Sequence, residues 1–145
     1  YNHEILTSTV TFDLVPRTLD EQVAWITDRS GAHVVLVAED AAGAVVGFGA
    51  LSPYRERAGY ATTVEDSVYV HTDHRRQGVG RVVLAGLVER ATAHGFHALM
   101  AKIVAGHEAS ITLHAAAGFE VVGHEREVGR KFGRWLDVVL MERLL

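Results

Sequence analysis

The fold of this chain is decided by the stretch Val68-Tyr69-Val70-His71-Thr72-Asp73-His74-Arg75-Arg76-Gln77-Gly78-Val79-Gly80-Arg81. It begins as an apolar strand, passes through a polar turn and enters a helix that opens with two glycines. The N–H groups of a first helical turn have no partner within the helix, and glycine lets a ligand approach the backbone closely. Arg75, Arg76 and Arg81 add positive charge beside the positive end of the helix dipole. The stretch therefore predicts a cradle for an anion with several phosphate oxygens.

A glycine pair before a helix is a weak signal, because tight turns and close helix packing also use glycine. A dinucleotide-binding fingerprint would need a third glycine where the chain has Val83, so that class of site is set aside. What remains is the pattern Arg75-x-x-Gly78-x-Gly80 after a strand. From this motif alone, phosphate binding and a structural turn are about equally well supported.

The composition is that of one globular domain. The 145 residues are 48% hydrophobic and 22% charged, which is enough to bury a core. Cysteine is absent, which excludes disulfides, thiolate nucleophiles and cysteine-ligated zinc. A net charge of −4 argues against nucleic acid as a partner. Because there is no signal peptide and no apolar run near the ~20 residues that span a bilayer, we expect no membrane association and a cytoplasmic location.

Periodicity and turn signals predict the other elements. Thr18 and Glu21 have capping-box spacing ahead of an apolar repeat, which predicts a helix over 19–28. Further helices are expected from Gly78 to Gly95 and over 108–117. Strands are expected over 33–38, 45–52, 62–70, 96–104, 120–128 and 135–141, with a turn over 129–134. Glycines at 47 and 49 indicate a bulge or the close approach of another backbone. This order favours an α/β fold, an α+β sandwich with a mixed sheet.

Several blocks of sequence resemble the GNAT superfamily, and within it the phosphinothricin and methionine sulfone or sulfoximine N-acetyltransferases. The glycine loop matches the family's acyl-CoA pyrophosphate pattern, Arg/Gln-x-x-Gly-x-Gly/Ala. Matching blocks in the right order are far more specific than one loop. The resemblance covers the whole chain and implies a mostly antiparallel central sheet, flanked by helices and splayed at the strand before the loop. The other blocks are Tyr1-Asn2-His3-Glu4 with Thr7-Ser8-Thr9-Val10, Thr63-Val64-Glu65-x-Ser67-Val68-Tyr69-Val70, Glu108-Ala109-Ser110-Ile111-x-Leu113-His114 with Gly118-Phe119, and Lys131-Phe132-Gly133-Arg134-Trp135-x-Asp137.

The resemblance implies acetyl-CoA as the donor and a primary amine on a small molecule as the acceptor. Main-chain groups of Val68 and Val70 would bind the pantetheine arm at the splay, and backbone amides from Arg76 to Arg81 would hold the pyrophosphate. His107 stands where relatives usually carry asparagine, and histidine is less suited to holding the donor or capping a helix. The donor-binding residues implied in this way are Val68, Val70, Arg75, Arg76, Gln77, Gly78, Val79, Gly80, Arg81, His107 and Ser110.

The same resemblance assigns two catalytic side chains. An aliphatic ammonium has a pKa near ~10.4, so a base must remove its proton at neutral pH. Glu65 matches the family's catalytic glutamate; the alternative is an exposed glutamate or one paired with Arg57. His114 stands where many GNAT enzymes have a tyrosine, and it would protonate the leaving thiolate or relay the proton of the amine. The alternative for His114 is a helix histidine satisfied by a backbone carbonyl.

The resemblance implies that substrate selection falls to the loop over 53–61, with Phe12 from the opposite side, because Arg57, Tyr60 and Phe12 match substrate-contacting positions of the phosphinothricin enzymes. Arg55, Arg57 and Tyr60 are its candidate substrate-binding residues, because a guanidinium fork suits a carboxylate or phosphinate. The methionine sulfone enzymes share Arg55 but differ at Arg57, which leaves the preferred acid open. The block from Lys131 to Trp135 would line the pocket or a contact of the homodimer that the relatives imply, or it would be a plain hairpin turn.

Further expectations follow. The family's first strand and most of its first helix would precede Tyr1, so we expect residues ahead of it in the natural protein; their true absence would expose a sheet edge. No metal is expected, because neither His71 with His74 nor His94 with His97 has a third ligand nearby. Two other functions stay open. A protein N-terminal or lysine acetyltransferase would have an open groove, and a non-catalytic acyl-CoA sensor would keep the cradle without the chemistry.

Overall fold

A six-stranded sheet carries helices on both faces. The computed structural model describes residues 1–29 and 31–145 of the chain. None of the helices in this part is long and apolar enough to cross a membrane. The helices are α1 (Asn2–Thr7), α2 (Leu19–Thr27), α3 (Val79–Ala93) and α4 (Glu108–Ala116), with short 3₁₀ helices at Ala58–Tyr60 and Thr72–His74, and the strands are β1 (Val35–Glu39), β2 (Val45–Pro53), β3 (Thr63–Val70), β4 (Ala98–Val104), β5 (Glu120–Lys131) and β6 (Arg134–Leu144).

The strands lie in the order β1-β2-β3-β4-β6-β5. Every neighbouring pair is antiparallel except β3 and β4, which are parallel because α3 connects them. The parallel pairing runs only from Thr63 opposite Ala98 to Glu65 opposite Met100. Beyond Glu65, β3 stays paired with β2 and separates from β4. The predicted mixed sheet and its splay before the glycine loop are thus confirmed.

Helix α3 forms the centre of the core on one face of the sheet. Its buried stripe is Val83, Leu84, Leu87, Val88 and Ala91, as its periodicity predicts. The glycines of β2 make room for this helix. A Cβ at Gly49 would lie 2.6 Å from Cγ1 of Val83, and one at Gly47 would lie 2.8 Å from Cγ1 of Val79. The close approach predicted at these glycines therefore comes from helix side chains, while the predicted bulge lies beside Gly47 in the β1–β2 register.

Helix α2 begins as predicted but does not bury its apolar stripe. The hydroxyl of Thr18 accepts a hydrogen bond from the N–H of Glu21, and the carboxylate of Glu21 accepts one from the N–H of Thr18. This capping box fixes the first turn locally. Yet no residue of α2 is buried, and its apolar side chains at positions 19, 23 and 26 are exposed. Local sequence thus determines this helix more than packing does.

The last hairpin differs from its prediction. The strands extend to Lys131 and resume at Arg134, so the predicted turn over 129–134 shrinks to Phe132-Gly133. Both turn residues have positive φ, 49° and 73°, which is the backbone of a two-residue hairpin loop. A register irregularity lies earlier in β5, where the N–H of Glu127 bonds to a carboxylate oxygen of Asp137. The longer strands bring Gly129 and Lys131 into the sheet.

Candidate active site

The glycine loop has the backbone shape of an anion cradle. Arg76 has φ 61° and Gly78 has φ 86°, so the chain turns through left-handed conformations directly before α3. Gly78 is the N-cap of α3, and its carbonyl accepts the first helical bond from the N–H of Val82. The N–H groups of residues 79–81 have no helical partner and point along the positive end of the helix dipole. The geometry fits a pyrophosphate.

The two glycines of the motif serve different purposes. Gly78 needs its positive φ, and a Cβ built there meets no heavy atom within 4 Å, so its surroundings are open to a ligand. Gly80 is helical, and a Cβ there would lie 3.2 Å from Cδ2 of Leu113 in α4 and 3.6 Å from Cγ2 of Val70. The functional and structural explanations of the motif each hold for one glycine.

The side chains of the loop divide into two groups. Arg75 turns away from the cradle: its Nη2 lies 2.5 Å from Oε1 of Glu4 in α1, and its Nε lies 3.5 Å from the carbonyl of Val70. Gln77 donates to the carbonyl of Asp73 and so closes the turn. The exposed side chains of Arg76 and Arg81 are left to supply positive charge at the cradle.

The slot between β3 and β4 begins where their pairing stops. Val68 and Val70 pair with Gly49 and Gly47 on one side, and their other main-chain edge faces the slot. Helix α4 follows β4, with Ser110 in its first turn. His107 is its N-cap residue, but the side chain makes no capping hydrogen bond. Burial and the charge of Arg75 lower the pKa of His107, so the ring is neutral at physiological pH.

Glu65 lies at the last residue pair of the β3–β4 junction, on the opposite face from α3. Its carboxylate oxygen Oε2 is 2.8 Å from Nζ of Lys102, which projects from β4 on the same face. Lys102, and not the Arg57 considered from the sequence, is therefore the ionic partner of Glu65. The ion pair is partly exposed, which keeps the carboxylate reachable by an acceptor.

His114 points at the other face of the same junction, where its ring pairs with Asp66. Its Nε2 lies 3.0 Å from Oδ2 of Asp66, and its Nδ1 lies 2.8 Å from the carbonyl of Ser110. Both side chains are buried. A carbonyl only accepts, so Nδ1 must carry a proton. Burial alone would lower the pKa of His114, but the hydrogen bond and charge of Asp66, aided by the Ser110 carbonyl, raise it. With Nδ1 protonated, the raised pKa favours the form of the ring in which Nε2 also carries a proton and donates to Asp66.

The predicted substrate loop lies beside Glu65 and Lys102. The guanidinium of Arg55 stacks on Tyr54 and Tyr60, with its centre 5.0 Å and 5.3 Å from the two ring centres. Nζ of Lys102 lies 5.3 Å from the ring centre of Tyr54. Arg55 and Tyr60 thus form one cluster next to the base. Arg57 is exposed and precedes the short helix Ala58–Tyr60.

Phe12 lies on a segment that crosses this acceptor face from α1 towards β5. The ring is 41% exposed and rests on Gly129, where a Cβ would lie 2.3 Å from its Cζ. The neighbouring hydroxyl of Thr11 is 3.0 Å from the hydroxyl of Tyr1. Tyr1 in turn packs edge-on against Tyr69, with ring centres 4.8 Å apart. Tyr69 and Glu65 are four residues apart on β3, so their side chains lie on the same face, and Phe12 therefore shares that face of the sheet with Glu65.

Sequence reasoning missed several residues that the fold brings to this site. Asp66 carried a usable signal, because it shares a strand face with Val64 and Val68 and a carboxylate between apolar positions needs a partner. Lys102 and Gly129 carried none, because their partners are distant in the chain, and Lys131 was named only as part of a block that matches the family, without its partner. A cavity of about 150 Å³ also lies on the face of Glu65. It is lined by Tyr1, Arg17, Trp25, Arg29, Phe48, Ser52, Ser67 and Tyr69.

Within residues 1–29 and 31–145, no group of three or more histidine, aspartate or glutamate side chains is arranged to hold a metal ion. Glu65 offers a carboxylate with an open approach, the glycine loop offers unpaired N–H groups that suit an anion, and the Arg55 cluster offers positive charge that suits an acid. This combination suits group transfer to an amine that also carries an acidic group.

Comparisons with known proteins agree with this chemistry. A family model described as "Acetyltransferase (GNAT) domain" matches residues 1–140. A relative from Pseudomonas aeruginosa, named L-methionine sulfoximine/L-methionine sulfone acetyltransferase, is 42% identical over 143 residues, covering 98% of this chain and 83% of the relative.

Solved structures extend the comparison to the fold. A ribosomal-protein-alanine N-acetyltransferase from Brucella melitensis matches with a TM-score of 0.97 at 39% identity, covering 100% of this chain and 90% of that one. A GNAT superfamily phosphinothricin acetyltransferase from Sinorhizobium meliloti, solved with acetyl-CoA, matches with a TM-score of 0.91 at 37% identity, covering 100% and 79%. These matches confirm the family, the fold and the donor that the sequence predicts.

Proposed function

The chain belongs to the GNAT acetyltransferase family, and from that premise we propose that it transfers acetyl from acetyl-CoA to the α-amino group of a small amino acid or analogue. The acceptors we favour are of the methionine sulfone, methionine sulfoximine or phosphinothricin type, which the names of similar proteins carry. The observation that carries the proposal is the placement of Glu65, beside the Arg55 cluster and at the point where the β3–β4 slot opens.

In this proposal the amine attacks the thioester directly while donor and acceptor are both bound. The new C–N bond forms as the C–S bond breaks, and CoA leaves as its thiolate, which takes up the second proton lost by the amine nitrogen. Acetyl-CoA supplies the activated acetyl group. Glu65 removes the proton of the acceptor ammonium, directly or through one water, and Lys102 holds the carboxylate in position. Arg55, with Arg57 at the rim, binds the acid group of the acceptor, and the rings of Tyr60 and Phe12 bound the side-chain end.

We propose that His114 contributes mainly by position. Both ring nitrogens are already hydrogen-bonded, to Asp66 and to the carbonyl of Ser110. Donation of a proton to the leaving thiolate would first break one of these bonds. The pair instead ties α4 to β3 at the start of the slot, which fixes the two walls between which the donor binds.

The deciding experiment measures release of free CoA from acetyl-CoA with methionine sulfone, methionine sulfoximine and phosphinothricin as acceptors. We expect turnover with at least one of them, and identification of the product by mass spectrometry as the N-acetyl derivative. Absence of turnover with all three acceptors, in protein that binds acetyl-CoA, would contradict the proposal.

A second candidate is acetylation of a protein N-terminus, which the likeness to the Brucella protein favours. Including a peptide with N-terminal alanine in the acceptor panel separates the two candidates. Faster turnover of the peptide than of every free amino acid would favour the second. Calorimetric binding of acetyl-CoA without turnover on a broad amine panel would instead favour a non-catalytic sensor.

We also propose a homodimer that covers the β5 edge of the sheet. The exposed fractions of Val121, Val122, Val128, Phe132 and Trp135 lie between 52% and 60%, which is high for large apolar side chains on one hairpin. Light scattering after size-exclusion chromatography should give twice the chain mass. Val122→Glu, which places a charge at this edge, should shift the protein towards the monomer; a wild-type monomer at assay concentration would contradict the dimer.

A further inference from the structure

We propose that Gly129 and Lys131 of β5 form a seat that fixes Phe12 and so determine which acceptors the site takes. The inference rests on the proposed function, because it concerns the acceptor pocket of the same site. Neither residue is expected to touch the reacting atoms. Both act on the crossing segment, defined as residues 8–13, which runs over the acceptor face between α1 and β5.

Gly129 is the floor of the seat. A Cβ at this position would lie 2.3 Å from Cζ, 2.5 Å from Cε2 and 2.8 Å from Cε1 of Phe12, so the ring lies directly on the backbone of β5. Gly129 is not among the residues with positive φ, so its backbone accepts any side chain. What excludes a side chain at Gly129 is the position of Phe12. A methyl group there must push the ring outward.

Lys131 is the clamp of the seat. Its side chain is only 3% exposed, and its Nζ donates to the carbonyl of Thr11 at 2.8 Å and approaches the carbonyl of Glu4 at 3.5 Å. No carboxylate of the described residues lies within ion-pairing distance of Nζ. Burial lowers the pKa of Lys131. A buried ammonium is costly unless its donors are used, so the two carbonyls of the α1 end and the crossing segment are held against it.

The other side of the crossing segment is also fixed. The hydroxyl of Tyr1 lies 3.0 Å from the hydroxyl of Thr11 and donates to Asp13 at 2.6 Å. Asp13 also pairs with Arg17 at 3.0 Å. The residues before and after Phe12 in the chain, Thr11 and Asp13, are therefore both held by side-chain contacts. The position of the Phe12 ring then depends mainly on the space above Gly129. A displacement of about 1 Å at a positioning group costs up to about 100-fold in rate.

Phe12 therefore forms one wall of the acceptor pocket, and contacts with β5 determine how far this wall projects into the pocket. Gly129 and Lys131 are two residues apart on one strand and contact adjacent residues of the crossing segment. From sequence alone, the block from Lys131 to Trp135 had three explanations: pocket lining, a homodimer contact or a plain hairpin turn. The contacts of Lys131 add a fourth. It supports the acceptor wall from behind. A larger residue at Gly129 narrows the pocket, and loss of the clamp loosens it.

The test is a double-mutant cycle between Gly129→Ala and Phe12→Ala, read as kcat/KM for each acceptor and KM for acetyl-CoA. We expect Gly129→Ala to lower acceptor kcat/KM about 10- to 100-fold and to change the ratio between methionine sulfone and phosphinothricin, with KM for acetyl-CoA changed less than about twofold. In the Phe12→Ala background the same substitution should change acceptor kcat/KM less than about twofold. An equal effect in both backgrounds would overturn the proposal.

Gly123→Ala is the matched control. It makes the same change on the same strand, where a Cβ would lie 3.2 Å from Cδ1 of Leu140 and its three nearest heavy atoms all belong to the Leu140 side chain. We expect acceptor kcat/KM within about twofold of wild type. A loss as large as that of Gly129→Ala would mean that any added methyl group in β5 disturbs the site, and the proposal would fail.

Hydrogen–deuterium exchange of the peptide covering residues 8–15 tests the seat without any acceptor. Lys131→Met keeps an unbranched side chain that is only one heavy atom shorter and removes its donors, so exchange of this peptide should be faster while that of α3 stays unchanged. Unchanged exchange in both Lys131→Met and Gly129→Ala would overturn the seat. If wild type acetylates none of the acceptors, the proposed function fails, and the exchange result still decides the inference.

Discussion

The cradle and the acceptor face of this enzyme obtain their shapes from different kinds of contact. At the cradle, positive φ at Arg76 and Gly78 turns the chain within a few residues. On the acceptor face, Lys131 holds Thr11, and the two are 120 positions apart in the chain. Under the proposed function, donor binding therefore depends mainly on local backbone conformation, and acceptor binding on tertiary contacts. Substitutions in one region should leave the other nearly intact.

Glu65→Gln gives the largest expected effect and is the strongest test of this separation. Glutamine keeps the size of the side chain but does not accept the proton, so kcat should fall at least about 100-fold. Calorimetric affinity for acetyl-CoA should stay within about twofold of wild type, because the carboxylate lies on the acceptor face. Full turnover in this variant would remove Glu65 as the base.

Gly78→Ala disturbs the cradle instead. Alanine at φ 86° costs about 1–2 kcal/mol, which should weaken acetyl-CoA binding about tenfold if the loop relaxes to avoid the strain. The acceptor KM should hardly change. Gly43→Ala, at φ 81° in the turn between β1 and β2, imposes the same strain away from the site and is the control. Equal loss of donor affinity in both variants would break the comparison.

Asp66→Asn tests the junction between the two regions through pH. The pKa of His114 is raised in the folded state. The stabilisation that the His114–Asp66 pair contributes is therefore fully present below about pH 6.5, the pKa of histidine in the unfolded chain, and it is lost as the pH rises through the pKa of His114 in the folded protein. The Tm difference between wild type and Asp66→Asn should therefore be larger at pH 6 than at pH 9. Asp137→Asn breaks the more exposed pair with His124 and should show little pH dependence. A pH-independent difference at Asp66 would show that the pair is not an ion pair.

Thr18→Ala gives the smallest expected effect. It removes the capping box of α2, a helix with no buried residue, and should lower Tm by about 3 °C. Both KM values should stay at wild-type levels. A change in acceptor KM would mean that α2 transmits strain to the cavity at Trp25 and Arg29, which lies under this helix.

How much the sequence predicted follows the same division. The cradle, the capping box and the α3 stripe were predictable because short-range conformation and periodicity determine them. The pairing of Glu65 with Lys102 was not, because it depends on the parallel register of two strands separated by a helix. The exposed apolar stripe of α2 shows what periodicity leaves undetermined. The repeat correctly predicts a helix, but it does not predict which part of the protein covers the apolar face. The positive φ of Phe132 explains why the last turn is shorter than its composition indicates.

The short parallel pairing of β3 with β4 also has a mechanical consequence. This pairing joins two half-sheets, one of β1 to β3 and the other of β4, β6 and β5. Glu65 lies within the paired segment, whereas Val70 lies about 16 Å further along the strand at ~3.3 Å per residue. A relative tilt of about 5° would move Val70 by about 1.4 Å and leave Glu65 almost still, from the same strand rise. A tilt of this kind would therefore change the width of the slot at Val70 far more than the position of Glu65.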